Sequence, residues 1–281
     1  MSTTIEDRVF LVTGANSGIG EATALGLARL GGTVVMACRS ATRGEAARQD
    51  IVRQSGNSRV SLELVDLASE ASTRAFAEAF RRKYSRLDVL INNAGLYTAH
   101  RNVTADGLEQ TFEVNYLSGF LLTHLLLDLL KKSSPSRIVN VSSRAHEGST
   151  IRFEDLQGER RYSGYRAYGQ SKLAQVLFTR ELARRLEGTG VIVNACHPGV
   201  IRTNLGMGGS SVVVRFVRMF FKGPERGAET PIYLAVSPDV EGVTGKYFAN
   251  RRIREPSRAA QDPDVARRLF DVSAELAHLS V

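Results

Sequence analysis

Residues 8–40 read RVFLVTGANSGIGEATALGLARLGGTVVMACRS, and this stretch decides the fold. Two short β-branched runs, Arg8–Thr13 and Thr33–Cys38, flank a helix-period segment over Gly18–Leu30. The first run passes straight into Thr13-Gly14-Ala15-Asn16-Ser17-Gly18-Ile19-Gly20, and the helix begins at once. The glycine spacing is G-x-x-x-G-x-G rather than the G-x-G-x-x-G of the general dinucleotide fingerprint. The physics is the same. Small residues let the backbone approach a pyrophosphate, and the helix N-terminus offers unpaired N–H groups and a partial positive charge. A tight strand-to-helix turn with no ligand is the competing reading.

Outward from this unit the alternation continues. Val60–Leu64, Asp88–Ile91, Ser136–Ser142, Val191–Cys196 and Val243–Phe248 read as strands. Arg43–Gln54, Ser69–Lys83, Asp106–Lys132, Tyr165–Glu187 and Pro224–Ala235 read as helices. Strict alternation predicts an α/β chain: one doubly wound, Rossmann-type domain with a seven-stranded parallel sheet flanked by helices. No linker-like break and no repeat divides the chain, so residues 1–281 are expected to form a single domain.

Composition narrows the function classes. With 43% hydrophobic and 23% charged residues, the chain has ordinary globular content and not that of a disordered one. Cys38 and Cys196 are too few and too far apart for a disulfide framework or a metal site, and both read as reduced thiols. Glu6 and Asp7 stand where a signal peptide would be basic. The longest apolar run, Phe120 to Leu130, is about half the ~20 residues of a bilayer span. A cytoplasmic chain without signal peptide or transmembrane helix is expected. The net charge of +8 raises nucleic-acid binding, but no basic stripe with interleaved aromatics or known module supports it. No metal is expected either, since His100, His124, His146, His197 and His278 lack ligand spacing; His197 is expected to pack before the Pro198 turn, and His146 is a candidate pocket-lining residue.

In doubly wound sheets ligands bind outside the strand C-termini, near the point where strand order reverses. Residues just after strands are therefore the candidates. After the second strand, an NAD site commonly has an acid for the ribose 2′-OH; here Ala37-Cys38-Arg39-Ser40 offers a guanidinium and a hydroxyl suited to a 2′-phosphate. NADP(H) is the cofactor expected, with Arg39 as a solvated surface charge the alternative. Asp66-Leu67 would face the adenine, or Asp66 would cap the helix near Ser69. Asn93, Ala94 and Gly95 put small and amide residues after the fourth strand. Tyr168 and Lys172, four apart on a helix, stack on one face, and a nearby ammonium would favour the phenolate and bring Tyr168 toward the range of a general acid/base; a chance structural pair on an exposed helix face is the competing reading. Ser142-Ser143 ends the fifth strand, where a hydroxyl can hold a carbonyl oxygen or satisfy local backbone groups. Asn115, polar in an apolar helical segment, either disturbs the helix locally or is tolerated there.

TGANSGIG, NNAG, the Asn115 segment, VSS ending at Ser143, YxxxK and His197-Pro198-Gly199 occur in the order and rough spacing of short-chain dehydrogenases/reductases, which the chain resembles from about Asp7 to Phe248. The resemblance implies a catalytic tetrad of Asn115, Ser143, Tyr168 and Lys172: Tyr168 moves the proton, Ser143 steadies the carbonyl, Lys172 binds the nicotinamide ribose and lowers the Tyr168 pKa, and Asn115 holds a relay water. It also places Gly14, Asn16, Ser17, Gly18, Ile19, Gly20, Arg39, Ser40, Asp66, Leu67, Asn93, Ala94, Gly95, Pro198, Gly199, Val200 and Thr203 against the cofactor. Arg137 to Leu205 resembles more narrowly the retinol dehydrogenase group that includes members 11 to 14, which implies NADP(H) and a lipophilic alcohol/carbonyl pair such as retinol/retinal. A carbonyl reductase for other hydrophobic aldehydes and ketones fits as well. The alternative from another class is a catalytically silent NADP(H)-binding sensor or scaffold. Residues 202–223 match the family's substrate lid. Within them, 210–222 is apolar with Arg215, Arg218 and Lys222 set into it, a pattern also suited to peripheral membrane contact. A homodimer or homotetramer is a further expectation from the resemblance.

Overall fold

The computed structural model describes residues 4–198 and 223–280. Eight strands form one sheet in the order β3-β2-β1-β4-β5-β6-β7-β8. They are β1 Val9–Thr13, β2 Thr33–Cys38, β3 Val60–Leu64, β4 Val89–Asn92, β5 Ser136–Val141, β6 Val191–His197, β7 Tyr247–Ala249 and β8 Arg252–Arg254. The first seven run parallel, as expected for the Rossmann-type architecture. The eighth corrects the seven-stranded expectation and pairs antiparallel to β7, with Phe248 opposite Ile253. Asn250 and Arg251, both at positive φ, make the two-residue reversal between them. Such turns normally carry glycine, so Arg-rich sequence concealed this one. β7 starts later than expected because Gly245 sits at φ +70°, a turn conformation, and its N–H bonds Val193 O.

Parallel strands covered on both faces read as continuous apolar runs, and all five residues of β1 and all six of β5 are buried. One face carries Leu11, Leu90, Ile138 and Val193 beneath Phe112, Phe120, Phe178 and Phe270. The other carries Phe10, Val12, Met36, Ile91 and Val139 beneath Ala24, Leu27 and Leu234. Burial of each large side chain contributes roughly 1.5–3 kcal/mol.

The helices are α1 Gly18–Arg29, α2 Ala41–Ser55, α3 Glu70–Lys83, α4 Gln110–Phe112, α5 Ser118–Leu125, α6 Leu127–Lys132, α7 Gly164–Arg185, α8 Pro224–Val236 and α9 Pro263–Leu276. The single helix expected over Asp106–Lys132 is broken. Glu109 caps α4 by accepting from the N–H groups of Thr111 and Phe112, and a π-helical turn spans Glu113–Leu117 before α5. α9 was not foreseen, although Asp262 caps it and Pro263 opens it, a pairing that signals a helix start. It closes the aromatic layer: Phe270 lies 5.1 Å from Phe120, and the Arg185 guanidinium covers its ring at 3.7 Å.

Strand order reverses between β1 and β4, so their C-terminal ends open a crevice. Hydrogen bonds fasten its two sides. Thr13 Oγ1 accepts from the N–H groups of Asn93 and Ala94, and Asn93 Nδ2 donates to Thr13 O at 2.8 Å.

Candidate active site

The crevice leads into a cleft of about 520 Å³. Its lining includes Gly14, Asn16, Ser17, Gly18, Ile19, Gly20, Arg39, Ser40, Asp66, Leu67, Asn93, Ala94, Gly95, Tyr168, Lys172 and Pro198. Residues separated by more than 180 positions are thus gathered on one surface. Gly199, Val200, Thr203 and the 210–222 segment lie outside the described residues, as does the expected lid except for Gly223.

The glycine loop is built for close approach. Gly14, at φ +66°, turns the chain off β1, and a Cβ there would crowd Ala94 at 3.0 Å. At Gly20 a Cβ would collide with the Gly14 carbonyl, whereas beside Gly18 nothing lies within 4 Å. Ser17 caps α1 through its extended backbone without a side-chain cap hydrogen bond. The cradle is therefore open, fronted by the partial positive charge of a helix N-terminus, and fits a pyrophosphate.

Arg39 stands exposed at the far rim, joined by Arg43 from the first turn of α2. Among the described residues neither guanidinium is held by a carboxylate. Elsewhere arginines are commonly paired: Arg48 with Glu45, Arg74 with Glu70, Arg86 with Asp88, and Arg184 and Arg185 with Glu181. Sequence reasoning missed Arg43, although its place three residues after the helix cap Ser40 was readable. Ser40 Oγ accepts from Arg43 N. Asp66 does not cap α3; Ser69 does, and Asp66 Oδ1 takes the Ala68 N–H in a local turn.

At the other end, α7 presents Tyr168 and, one turn later, Lys172, whose Nζ lies 5.6 Å from the centre of the phenol ring. The two adjacent serines separate by geometry. Ser142 borders the cleft, but its hydroxyl donates to Lys172 O at 2.7 Å and serves to pin α7 to β5. The Ser143 hydroxyl accepts from Ala145 N at 3.2 Å and acts on Tyr168 in the direction that lowers its pKa. His146 does not line the cleft: fully buried, its Nδ1–H donates to Ser143 O at 2.7 Å while Nε2 accepts from Ser257 N, which fixes the backbone carrying Ser143. His197, also buried, ends β6, and burial lowers its pKa to about 4. Asn115 sits in the π turn, away from the cleft surface. Its Oδ1 accepts from Leu96 N at 2.7 Å and its Nδ2 donates to Leu96 O and Ser171 Oγ, so it secures the chain after β4. Tyr97, another residue missed, lines the cleft and meets the Tyr168 ring edge-on at 6.1 Å.

The electrostatics depart from the expectation for Tyr168. Burial raises its pKa, with the Ser143 hydroxyl acting in the opposite direction. The ammonium is itself desolvated, and burial brings Lys172 down to about 8. Desolvation of both partners outweighs the through-space attraction that spacing alone suggested. Cys38 and Cys196 are buried free thiols, pushed up by burial to about 11 and about 12.

The short chain dehydrogenase profile matches residues 8–211. Retinol dehydrogenase 13 of Mus musculus is 48% identical, over 99% of this chain and 86% of that protein. Retinol dehydrogenase 14 of Homo sapiens is 47% identical, over 95% and 85%. Among solved structures, an uncharacterized protein from Mycobacterium paratuberculosis superposes with a TM-score of 0.79 at 34% identity, covering 100% of this chain and 99% of that one. The NADP active-site complex of Pseudomonas aeruginosa RhlG has a TM-score of 0.66 at 29% identity, covering 86% and 94%.

Proposed function

The chain belongs to the short-chain dehydrogenase family of oxidoreductases, and we propose that it is NADP(H)-dependent and interconverts a lipophilic alcohol with its aldehyde or ketone. The observation that carries this reading is one cleft with two differently equipped ends. An open glycine cradle stands at one end with Arg39 and Arg43, which no carboxylate among the described residues holds; Tyr168 and Lys172 stand at the other, with Ser143 acting on Tyr168.

Arg39 holds the 2′-phosphate of the dinucleotide, with Arg43 beside it, and the N–H groups opening α1 hold the pyrophosphate. When bound, the cofactor supplies the hydride for reduction and takes it for oxidation. Tyr168 carries the proton. Its raised pKa keeps the phenol protonated at neutral pH, ready to donate to a carbonyl oxygen as negative charge develops there. Ser143 Oγ, whose influence on that phenol opposes the effect of burial, donates to the same oxygen and steadies it. Lys172 contributes a buried positive charge below about pH 8, which favours the phenolate left when Tyr168 gives up its proton and, in the oxidation direction, the phenolate that takes one. The lipophilic substrate class rests on Tyr97 beside Tyr168 and on the retinol dehydrogenase names of relatives at 47–48% identity.

The test is loss of NADPH absorbance at 340 nm with a panel of all-trans-retinal, short and long aliphatic aldehydes and aromatic ketones. Faster turnover with the lipophilic members is expected. NADPH binding without turnover of any of them would overturn hydride transfer in favour of a silent binding protein.

A further inference from the structure

Lys172 is enclosed, with 4% of its surface exposed, and its ammonium needs partners. Nζ donates to Val141 O at 3.0 Å and to Gln175 Oε1 at 3.0 Å. Gln175, one turn further along α7 and itself buried, donates through Nε2 to the Asn115 carbonyl at 2.7 Å. The partners settle the amide's orientation: an ammonium can only donate and a carbonyl can only accept. A continuous line therefore runs from the π turn through one side-chain amide to the lysine.

The far side of Gln175 is equally fixed. Its backbone carbonyl accepts from Thr179 Oγ1, which accepts from Asn140 Nδ2, and Asn140 Oδ1 accepts from Asn92 Nδ2. A buried polar layer that crosses β5 and β4 thus meets α7 at the Gln175 backbone. An ammonium has three N–H groups, and two are engaged. The third has room on the side of Gly95, where a Cβ would lie 3.5 Å from Nζ, and Lys172 borders the cleft there.

We propose that Gln175 is the positioning residue of Lys172: its amide ties the ammonium to the Asn115 carbonyl and so aims the remaining N–H into the cleft. The inference rests on the oxidoreductase reading for its consequence in turnover, but not for its structural content. A residue that only filled space in α7 would be replaceable by an apolar side chain of equal length with no effect on the lysine. Gln175 instead supplies an acceptor that stabilises the charged form. Among the described residues, the titratable groups facing the ammonium are Tyr168 on its own helix and the Cys196 thiol on β6, which burial keeps protonated.

The chain has six lysines, so a protein labelled with ¹⁵N-lysine gives a tractable Nζ spectrum, with Lys172 assigned by its loss in K172M. The titration is followed in wild type, Q175M and Q175E. Q175M removes the acceptor and is expected to lower the Lys172 pKa by about one unit; Q175E places a carboxylate there and raises it by at least about one. The alkaline limb of kcat/KM with NADPH is expected to move in the same two directions. Thermal melts confirm that each variant is folded at the assay temperature, and if Q175M is not, Q175E against wild type decides alone. Displacement in the same direction, or no displacement, overturns the proposal. Wild type without turnover would overturn the oxidoreductase reading while the NMR titration still judges Gln175, so the two failures are distinguishable.

Discussion

Among the described residues, the positive charges at the Arg39 end of the cleft are exposed and held by no carboxylate, whereas at the Tyr168 end the positive charge on Lys172 is enclosed and held by Val141 and Gln175. The first arrangement costs little solvation and is screened by salt; the second carries a desolvation penalty large enough to bring the lysine to about 8. Exposed charge suits the reading of a phosphate that arrives with its own charge. Enclosed charge suits reacting atoms, because the water that would weaken it is absent. The two ends should therefore respond differently to the same kinds of perturbation.

The largest expected effect is at the enclosed end. Tyr168→Phe keeps the ring against Tyr97 and removes the hydroxyl proposed to carry the proton, so turnover should fall by about 10³-fold. NADPH affinity, followed by quenching or energy transfer in fluorescence titration, should stay within about two-fold, because the guanidinium end is untouched. A fully active Y168F would remove the distinction between the two ends.

Next in size is the stability linked to Lys172. Its folded pKa of about 8 lies below the 10.5 of a free lysine. Between those values the unfolded chain holds a proton that the folded chain has released, so stability should rise as pH increases from 8 to 10.5. Denaturant melts of wild type against Lys172→Met should show wild type gaining about 3 kcal/mol over that window relative to the variant. No relative gain would mean that the ammonium is better solvated than its burial indicates.

The difference between the ends also explains what was legible in sequence. Arg39, Tyr168 and Lys172 could be chosen because each follows a local rule: a position just after a strand, or two positions four apart on a helix. Gly14, Gly18 and Gly20 were readable for the same reason. Effects that depend on enclosure were not. Spacing put an ammonium near Tyr168 and suggested a lowered pKa, but spacing contains no information on desolvation, which reverses the sign. The contacts of Gln175 with Asn115 and of His146 with Ser257 join elements far apart in the chain, and no local pattern encodes them. The fold was readable through β6 because alternation is a repeated local signal. It failed at β8, where a hairpin turns through Asn250-Arg251 without glycine, and at the π turn around Asn115, where a helical pattern hides a change in hydrogen bonding.

The smallest effects are expected at the exposed end. Arg39→Ala should reduce the preference for NADPH over NADH by about 10-fold to 30-fold, because a charge-assisted contact of about 1.5–3 kcal/mol is weakened by solvent at an exposed site. Arg43→Ala should reduce it by about three-fold. Arg43 emerges from the first turn of α2, with its backbone N–H on Ser40, and lines the same cleft as Arg39. Raising salt should erode the preference in wild type and much less in R39A, since screening acts on the charge that the variant lacks. The alkaline limb governed by Lys172 should hardly move with salt. If Arg43→Ala removes the preference and Arg39→Ala leaves it intact, the phosphate is read from the helix and not from the strand end. The rim would then be assigned one residue turn later, while the contrast between screened and enclosed charge would stand.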